Sequence, residues 1–201
     1  MPKVGMEPIR RQALIDATIA EIGQAGSLSV TVSQIAKRAG MSSGLAHHYF
    51  GSKEQIFVAA MRHILRSYGD HVRREMKLVS GPKERLDAII AVSFHPLNFT
   101  DEVVSAWLNF YVYARTVPEA KRLLAIYGRR LHSNLVFNLS QLMDTSRANH
   151  VAQTLAAMID GFYIRHALQD NAPARLEVMA LVDEYLRQQL NHTQQELKVS
   201  T

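Results

Sequence analysis

The run Ser42-Ser43-Gly44-Leu45-Ala46-His47-His48 sets small polar residues at the start of a short helix and two imidazoles one turn further on. The first N–H groups of a helix have no intrahelical acceptor and sit at the positive end of its dipole, so they meet anions readily. Hydroxyls and imidazoles add donors for a phosphate oxygen or a base edge. Lys53 follows at the head of the next helix, where an ammonium suits a phosphate, and Thr31 and Lys37 flank the other side. Leu45 offers an apolar contact to a thymine methyl, or plain packing. Two readings fit this stretch: a corner of two helices whose serines only cap, or a unit that reads DNA in the major groove.

A second group of residues suits a cation. Trp107 and Tyr111 are four apart and Phe110 is three from Trp107, so the three share one helical face, with Tyr113 close by. On a later candidate helix Phe162 and Tyr163 stand near Asp160. Aromatic faces with a carboxylate recognise a quaternary ammonium, which has no hydrogen to donate. The same spacing also serves an ordinary core.

Other chemistries find no support. The chain has no cysteine, which excludes disulfides, thiolate-bound zinc and cysteine nucleophiles. Its 9 histidines include His63 and His71, two turns apart, but no HExxH pattern and no matching acidic cluster. A glycine-rich phosphate loop and a GxSxG elbow are also missing. The expectation is a protein that is not an enzyme, with no catalytic residue, metal or cofactor. No apolar run approaches the roughly 18 residues of a membrane span, and no apolar signal core follows the first charges. A cytoplasmic protein without a membrane partner is expected.

These residues need elements to position them. The 201 residues are 47% hydrophobic, enough for a buried core, and the net charge is +5. Residues 1–66 carry eight Lys/Arg against four Asp/Glu, and residues 67–201 carry fifteen against fourteen. The positive excess thus sits in the first part of the chain, as a DNA-contacting head on a near-neutral body requires. No strand run alternates clearly, whereas helical periodicity recurs. Helices are expected over 8–24, 32–39, 42–49, 53–78, 83–94, 100–115, 116–143, 147–168 and 173–190, giving an all-α fold. Thr31 with Gln34 and Ser52 with Gln55 have capping-box spacing. Gly26 falls where a left-handed cap is needed and Gly40 where a tight turn joins two helices. Ile35, Leu45 and Phe50 are the expected underside of that pair. The domains are read as a head over 1–52, a body over 53–190 and a disordered polar tail over 191–201.

The residues Ile35-Ala36, Ala39-Gly40-Met41-Ser42, Gly44 and His48-Tyr49-Phe50, then Lys53, at these spacings resemble the TetR family of one-component repressors. The likeness covers residues 8–60. It is nearer still to the family's choline-responsive branch, which regulates glycine betaine synthesis. The opening residues 1–6, Ile9-Arg10-Arg11 and Leu14-Ile15-Asp16-Ala17-Thr18 carry it, as do Ala106-Trp107-Leu108, Arg129-Arg130-Leu131, Ser133-Asn134-Leu135-Val136 and Ile159-Asp160-Gly161. Many members have tyrosine where this chain has His47, and often threonine or serine at Leu45. The resemblance implies a helix-turn-helix head followed by a helical ligand-binding and dimerisation domain. It further implies a homodimer on double-stranded operator DNA and a small-molecule effector such as choline. Thr31, Lys37, Ser42, Ser43, Gly44, Leu45, His47, His48 and Lys53 would meet DNA, and Trp107, Phe110, Tyr111, Asp160 and Tyr163 would line the ligand site. Helices bearing Leu155, Met158, Ile159 and Phe162, and Leu176, Met179 and Leu186, would pair with a twin subunit. The alternative is a repressor of the same type that answers another ligand: a lipophilic cation, a drug or an acyl compound.

Overall fold

A computed structural model describes the backbone of residues 5–199 and the side chains of residues 5–192. Residues 1–4, which carry part of the resemblance, and residues 200–201 of the expected tail lie outside the described residues. Among those described, the chain is helical throughout with no strand: α1 (Met6–Ala25), α2 (Val32–Arg38), α3 (Ser43–Phe50), α4 (Lys53–Lys77), α5 (Pro82–Ser93), α6 (Asp101–Tyr113), α7 (Pro118–Leu139), α8 (Thr145–Leu168) and α9 (Arg175–Val199). This is the expected all-α fold.

Where an end differs from expectation, a specific group explains it. The Asp144 carboxylate accepts from the Arg147 N–H at 3.0 Å, which starts α8 at Thr145 and makes 140–143 a turn instead of the end of α7. The last helix continues to Val199, through most of the segment read as a disordered tail. No Gly or Pro interrupts the chain between Leu190 and Val199, so nothing forces the helix to stop.

Packing divides the chain into two compact units, Met1–Arg66 with Thr100–Leu124, and Ser67–Phe99 with Ala125–Thr201. The first unit takes in the start of α4, all of α6 and the start of α7. In the first unit α1 packs on both α6 and α2. Leu14, Ala17, Thr18 and Ile22 form its buried face, and Trp107, Ala106 and Phe110 are buried on α6. Burying a Leu or Ile of this kind stabilises by roughly 1.5–3 kcal/mol. The Thr18 hydroxyl donates to the Leu14 carbonyl at 2.7 Å, so its burial leaves no orphan. Gly23 explains the close seat: a Cβ there would stand 2.5 Å from the Glu102 Cα. Asn109 Nδ2 adds a hydrogen bond to the Gly26 carbonyl at 3.2 Å.

In the second unit α9 packs on α8 and α5. Leu86, Ile89, Phe94, Leu135, Leu139, Leu155, Ile159, Val182 and Leu186 are buried in it. That corrects part of the expected twin-subunit stripe, because Leu155, Ile159 and Leu186 face this chain's own core. Among the described side chains, the exposed large apolar residues of α8 and α9 are instead Ile164, Leu168, Leu176 and Leu181.

Candidate nucleic-acid interface and effector region

The head is built on two helix caps and one turn. Thr31 Oγ1 accepts from the Gln34 N–H at 3.2 Å while Gln34 Oε1 accepts from the Thr31 N–H at 2.7 Å. This reciprocal box starts α2 where the spacing predicts it. After α2 the Met41 N–H bonds back to the Ala36 carbonyl at 2.8 Å and the Gly40 N–H to the Lys37 carbonyl at 3.1 Å. Gly40 sits at φ 68, a left-handed conformation that a Cβ disfavours. Ser42 then caps α3, its Oγ accepting from the Leu45 N–H at 3.2 Å. Ile35 and Ala36 on α2, and Ala46 and Phe50 on α3, are buried. Leu45, expected on this underside, is only half-buried, and Ala46 takes the closer position.

This burial leaves the polar residues of α3 outward. Gly44, His47 and His48 are exposed and Ser43 is half-buried. A Cβ at Gly44 would meet no atom of the chain within 4 Å, so the absence of a side chain there is not an internal packing need. His47 Nδ1 donates to the Gly51 carbonyl at 3.0 Å, because a carbonyl only accepts, and this leaves Nε2 as the ring's remaining polar edge. Thr31, Lys37 and Ser42 are exposed, while Lys53 is half-buried with its ammonium 5.2 Å from the Phe57 ring centroid. All nine residues expected at DNA fall between the N-cap of α2 and the first residue of α4, within the first unit. Beside Lys53, hydrogen bonds from the Glu54 backbone and from Ser52 hold the Glu54 carboxyl below its ordinary range.

Two arginines that the motif does not mark brace this surface from α1. Arg10 Nη1 donates to the Tyr49 hydroxyl at 3.4 Å. The Arg11 guanidinium lies 5.6 Å from the Tyr49 centroid and 5.2 Å from that of Phe50. In the sequence they stand out as a charged pair within the basic excess and as part of the family resemblance, not as residues of the helix-turn-helix motif.

The residues expected to bind ligand divide between the two units. In the first, Trp107 and Tyr111 share a face as the spacing predicts, with centroids 5.4 Å apart at 74°. Phe110 is 0% exposed and belongs to the core. In the second, Tyr163 is buried, stacks on Phe94 at 6.1 Å and meets Phe99 at 5.2 Å. Its hydroxyl donates to the Ser93 carbonyl, and burial raises its pKa strongly, with Tyr68 and Asp160 adding to the rise. Asp160 is half-buried. Tyr68, unmarked in the sequence, bonds to Ser93 Oγ at 3.0 Å, and burial pushes its phenol up to about 12. Among the described residues no group of three or more His, Cys, Asp or Glu is placed to hold a metal ion, and no helix is long and apolar enough to cross a membrane.

Comparison with known proteins bears on both units. Residues 14–60 match the family model for bacterial regulatory proteins of the tetR family, and residues 82–191 match that for the BetI-type transcriptional repressor C-terminal domain. The chain is 54% identical over 191 residues to the HTH-type transcriptional regulator BetI of Brucella suis biovar 1 (strain 1330), covering 95% of this chain and 96% of that one. It is 48% identical over 190 residues to BetI of Agrobacterium fabrum (strain C58), covering 94% and 92%. Among solved structures, a Pseudomonas aeruginosa PAO1 protein superposes with a TM-score of 0.78 at 22% identity, covering 92% of this chain and 91% of its own. A Saccharomonospora viridis protein solved in complex with choline superposes with a TM-score of 0.77 at 19% identity, covering 88% and 95%.

Proposed function

The chain belongs to the TetR family of bacterial regulatory proteins, with a BetI-type repressor C-terminal domain, and from this we propose that it is a choline-responsive repressor of glycine betaine synthesis genes. It is a transcriptional regulator and not an enzyme. It acts as a homodimer, each head presenting α3 to one half-site of a palindromic operator. One observation carries this reading: α3 buries Ala46 and Phe50 while turning Gly44, His47 and His48 outward behind a capped, anion-ready N-terminus.

In this reading Ser43 and His48 contact base edges, and the first N–H groups of α3, with Thr31, Lys37, Ser42, Gly44, His47 and Lys53, align the phosphates. Leu45 supports the helix and can reach a thymine methyl. Ile164 and Leu168 lie four apart on α8, and with Leu176 and Leu181 on α9 they provide apolar surface for a twin subunit. Choline as effector draws on the BetI relatives and on the choline complex with the same fold. Two regions suit its ammonium, the Trp107–Tyr111 face in the first unit and the surroundings of Asp160 and Tyr163 in the second. Effector binding favours a state with lower operator affinity, and a differential affinity of about 1–3 kcal/mol changes DNA binding about 5–150-fold.

Fluorescence anisotropy on labelled DNA from upstream of the chain's own gene tests the proposal. Salt-dependent, sequence-specific binding that millimolar choline weakens is the expected result. Specific binding indifferent to choline retains the repressor and removes the effector, while absence of specific binding to that DNA removes the proposed target.

A further inference from the structure

We infer that the head takes up a proton when it binds DNA, at His47, which meets a phosphate only as the imidazolium ion. The inference deepens the DNA reading above and rests on it.

The first observation is a fixed tautomer. His47 Nδ1 donates to the Gly51 carbonyl at 3.0 Å. The Gly51 N–H returns a bond to the His47 carbonyl at 2.7 Å, so the two residues are joined twice. A neutral imidazole has one N–H. With Nδ1 holding it, Nε2 carries only a lone pair. A phosphate oxygen also only accepts, so the two repel until Nε2 takes a proton from solvent. The contact then becomes a charge-assisted hydrogen bond.

The second is placement. His47 is exposed, and Gly44 three residues earlier is exposed on the same face of α3. The third is the set of charges around the ring. The elements about α3 bring Arg10 and Arg11 from α1, Lys37 and Arg38 from α2, and Lys53 and Glu54 at the start of α4; His48 and Tyr49 are the titratable neighbours on α3 itself. Arg11 pairs with Glu7 and Arg38 with Glu21, while Glu54 takes hydrogen bonds from its own backbone and from Ser52. Among the described residues no carboxylate pairs with His47. The phosphate is therefore the anion that favours the charged ring.

His48 differs. Its ring meets that of Tyr49 with centroids 5.5 Å apart, and among the described residues no hydrogen bond fixes its tautomer. A neutral His48 can donate through either nitrogen, so its contact with DNA needs no added proton.

The test is fluorescence anisotropy of the intact protein on the labelled upstream duplex and on an unrelated duplex of equal length, from about pH 6 to about pH 8 at constant ionic strength. Uptake of one proton per head lowers affinity by as much as about tenfold per pH unit, and wild type loses at least about tenfold across the range. His47→Gln donates at every pH without titrating, and His47→Arg stays charged at every pH. Both hold their affinity within about twofold over the same range, with an unchanged cooperative melt showing that each is folded. His48→Gln keeps the wild-type slope. Calorimetry in two buffers of different ionisation enthalpy counts the proton directly: uptake in wild type, none in His47→Gln. A flat wild-type profile, a slope retained in folded His47→Gln, or a slope lost in His48→Gln overturns the inference and leaves the DNA reading standing. Affinity that rises with pH also overturns it, because neutral Nε2 would then be accepting from a base amino group. A protein that binds neither duplex at any pH removes the DNA reading and the inference with it.

Discussion

Hydroxyl groups do different work in the two units. In the first, Thr31, Ser42 and Ser52 each accept from a backbone N–H three residues on and so mark where α2, α3 and α4 begin. They lie at or near the surface, and their partners are local in sequence. In the second, Tyr68, Tyr163 and Ser93 bond to one another or to buried carbonyls across as many as 70 residues of chain. The head is thus a scaffold of local signals that frees its other polar side chains to face outward. The second unit uses its polar atoms to fix aromatic rings inside a core. A change of the same chemical size should therefore damage stability in one unit and recognition in the other.

The largest expected effect breaks the aromatic core. Phe94 is fully buried against Phe99, Phe162 and Tyr163. Phe94→Ala should cost about 3–5 kcal/mol in urea unfolding; a loss below about 1 kcal/mol would mean that the rings do not form a packed cluster. Next in size, Tyr163→Phe leaves the Ser93 carbonyl short of its donor and should cost about 1–3 kcal/mol.

The same phenols give the second unit a pH signature. The folded-state pKa of Tyr68 is raised from 10.0 to about 12, so on alkaline titration the unfolded chain releases this proton first. The stabilisation is complete below pH 10 and is lost as pH climbs through the folded value near 12. Stability measured across that window should fall more steeply in wild type than in Tyr68→Phe.

Substitutions at the outward polar positions of the head, such as His48 and Lys53, should leave stability within about 0.5 kcal/mol and act on DNA instead. His48→Ala should change discrimination at one base position by about 1–3 kcal/mol across a set of single-base operator variants. Smallest in sequence dependence, Lys53→Ala should weaken all duplexes about equally and lower the salt slope by about 1. A Lys53→Ala protein with altered base preference, or a His48→Ala protein with a uniform loss, would reverse the two assignments.

The same contrast explains what could be read before the structure. Thr31, Ser42, Gly26 and Gly40 act on neighbours within a few residues, so type and spacing reveal them. The aromatic stripe of α6 was legible as a stripe, but periodicity alone does not separate Phe110, which is core, from Trp107 and Tyr111. Gly23 looks like an unremarkable helix residue until Glu102 arrives from α6 to occupy the space of its missing Cβ. Tyr68 and Ser93 gain their roles only when α4 and α5 come together, and a lone tyrosine and serine on separate helices carry no sequence signal. Arg10 and Arg11 were visible as charge, while their use in bracing Tyr49 depends on how α1 lies against α3.

In the proposed mechanism, operator and effector binding are linked in this chain. The most direct test measures choline affinity by calorimetry for the free protein and for protein saturated with operator. Linkage requires choline affinity to fall on operator binding by the same factor by which choline lowers operator affinity, about 5–150-fold. Equal choline affinity in the two states would contradict the account.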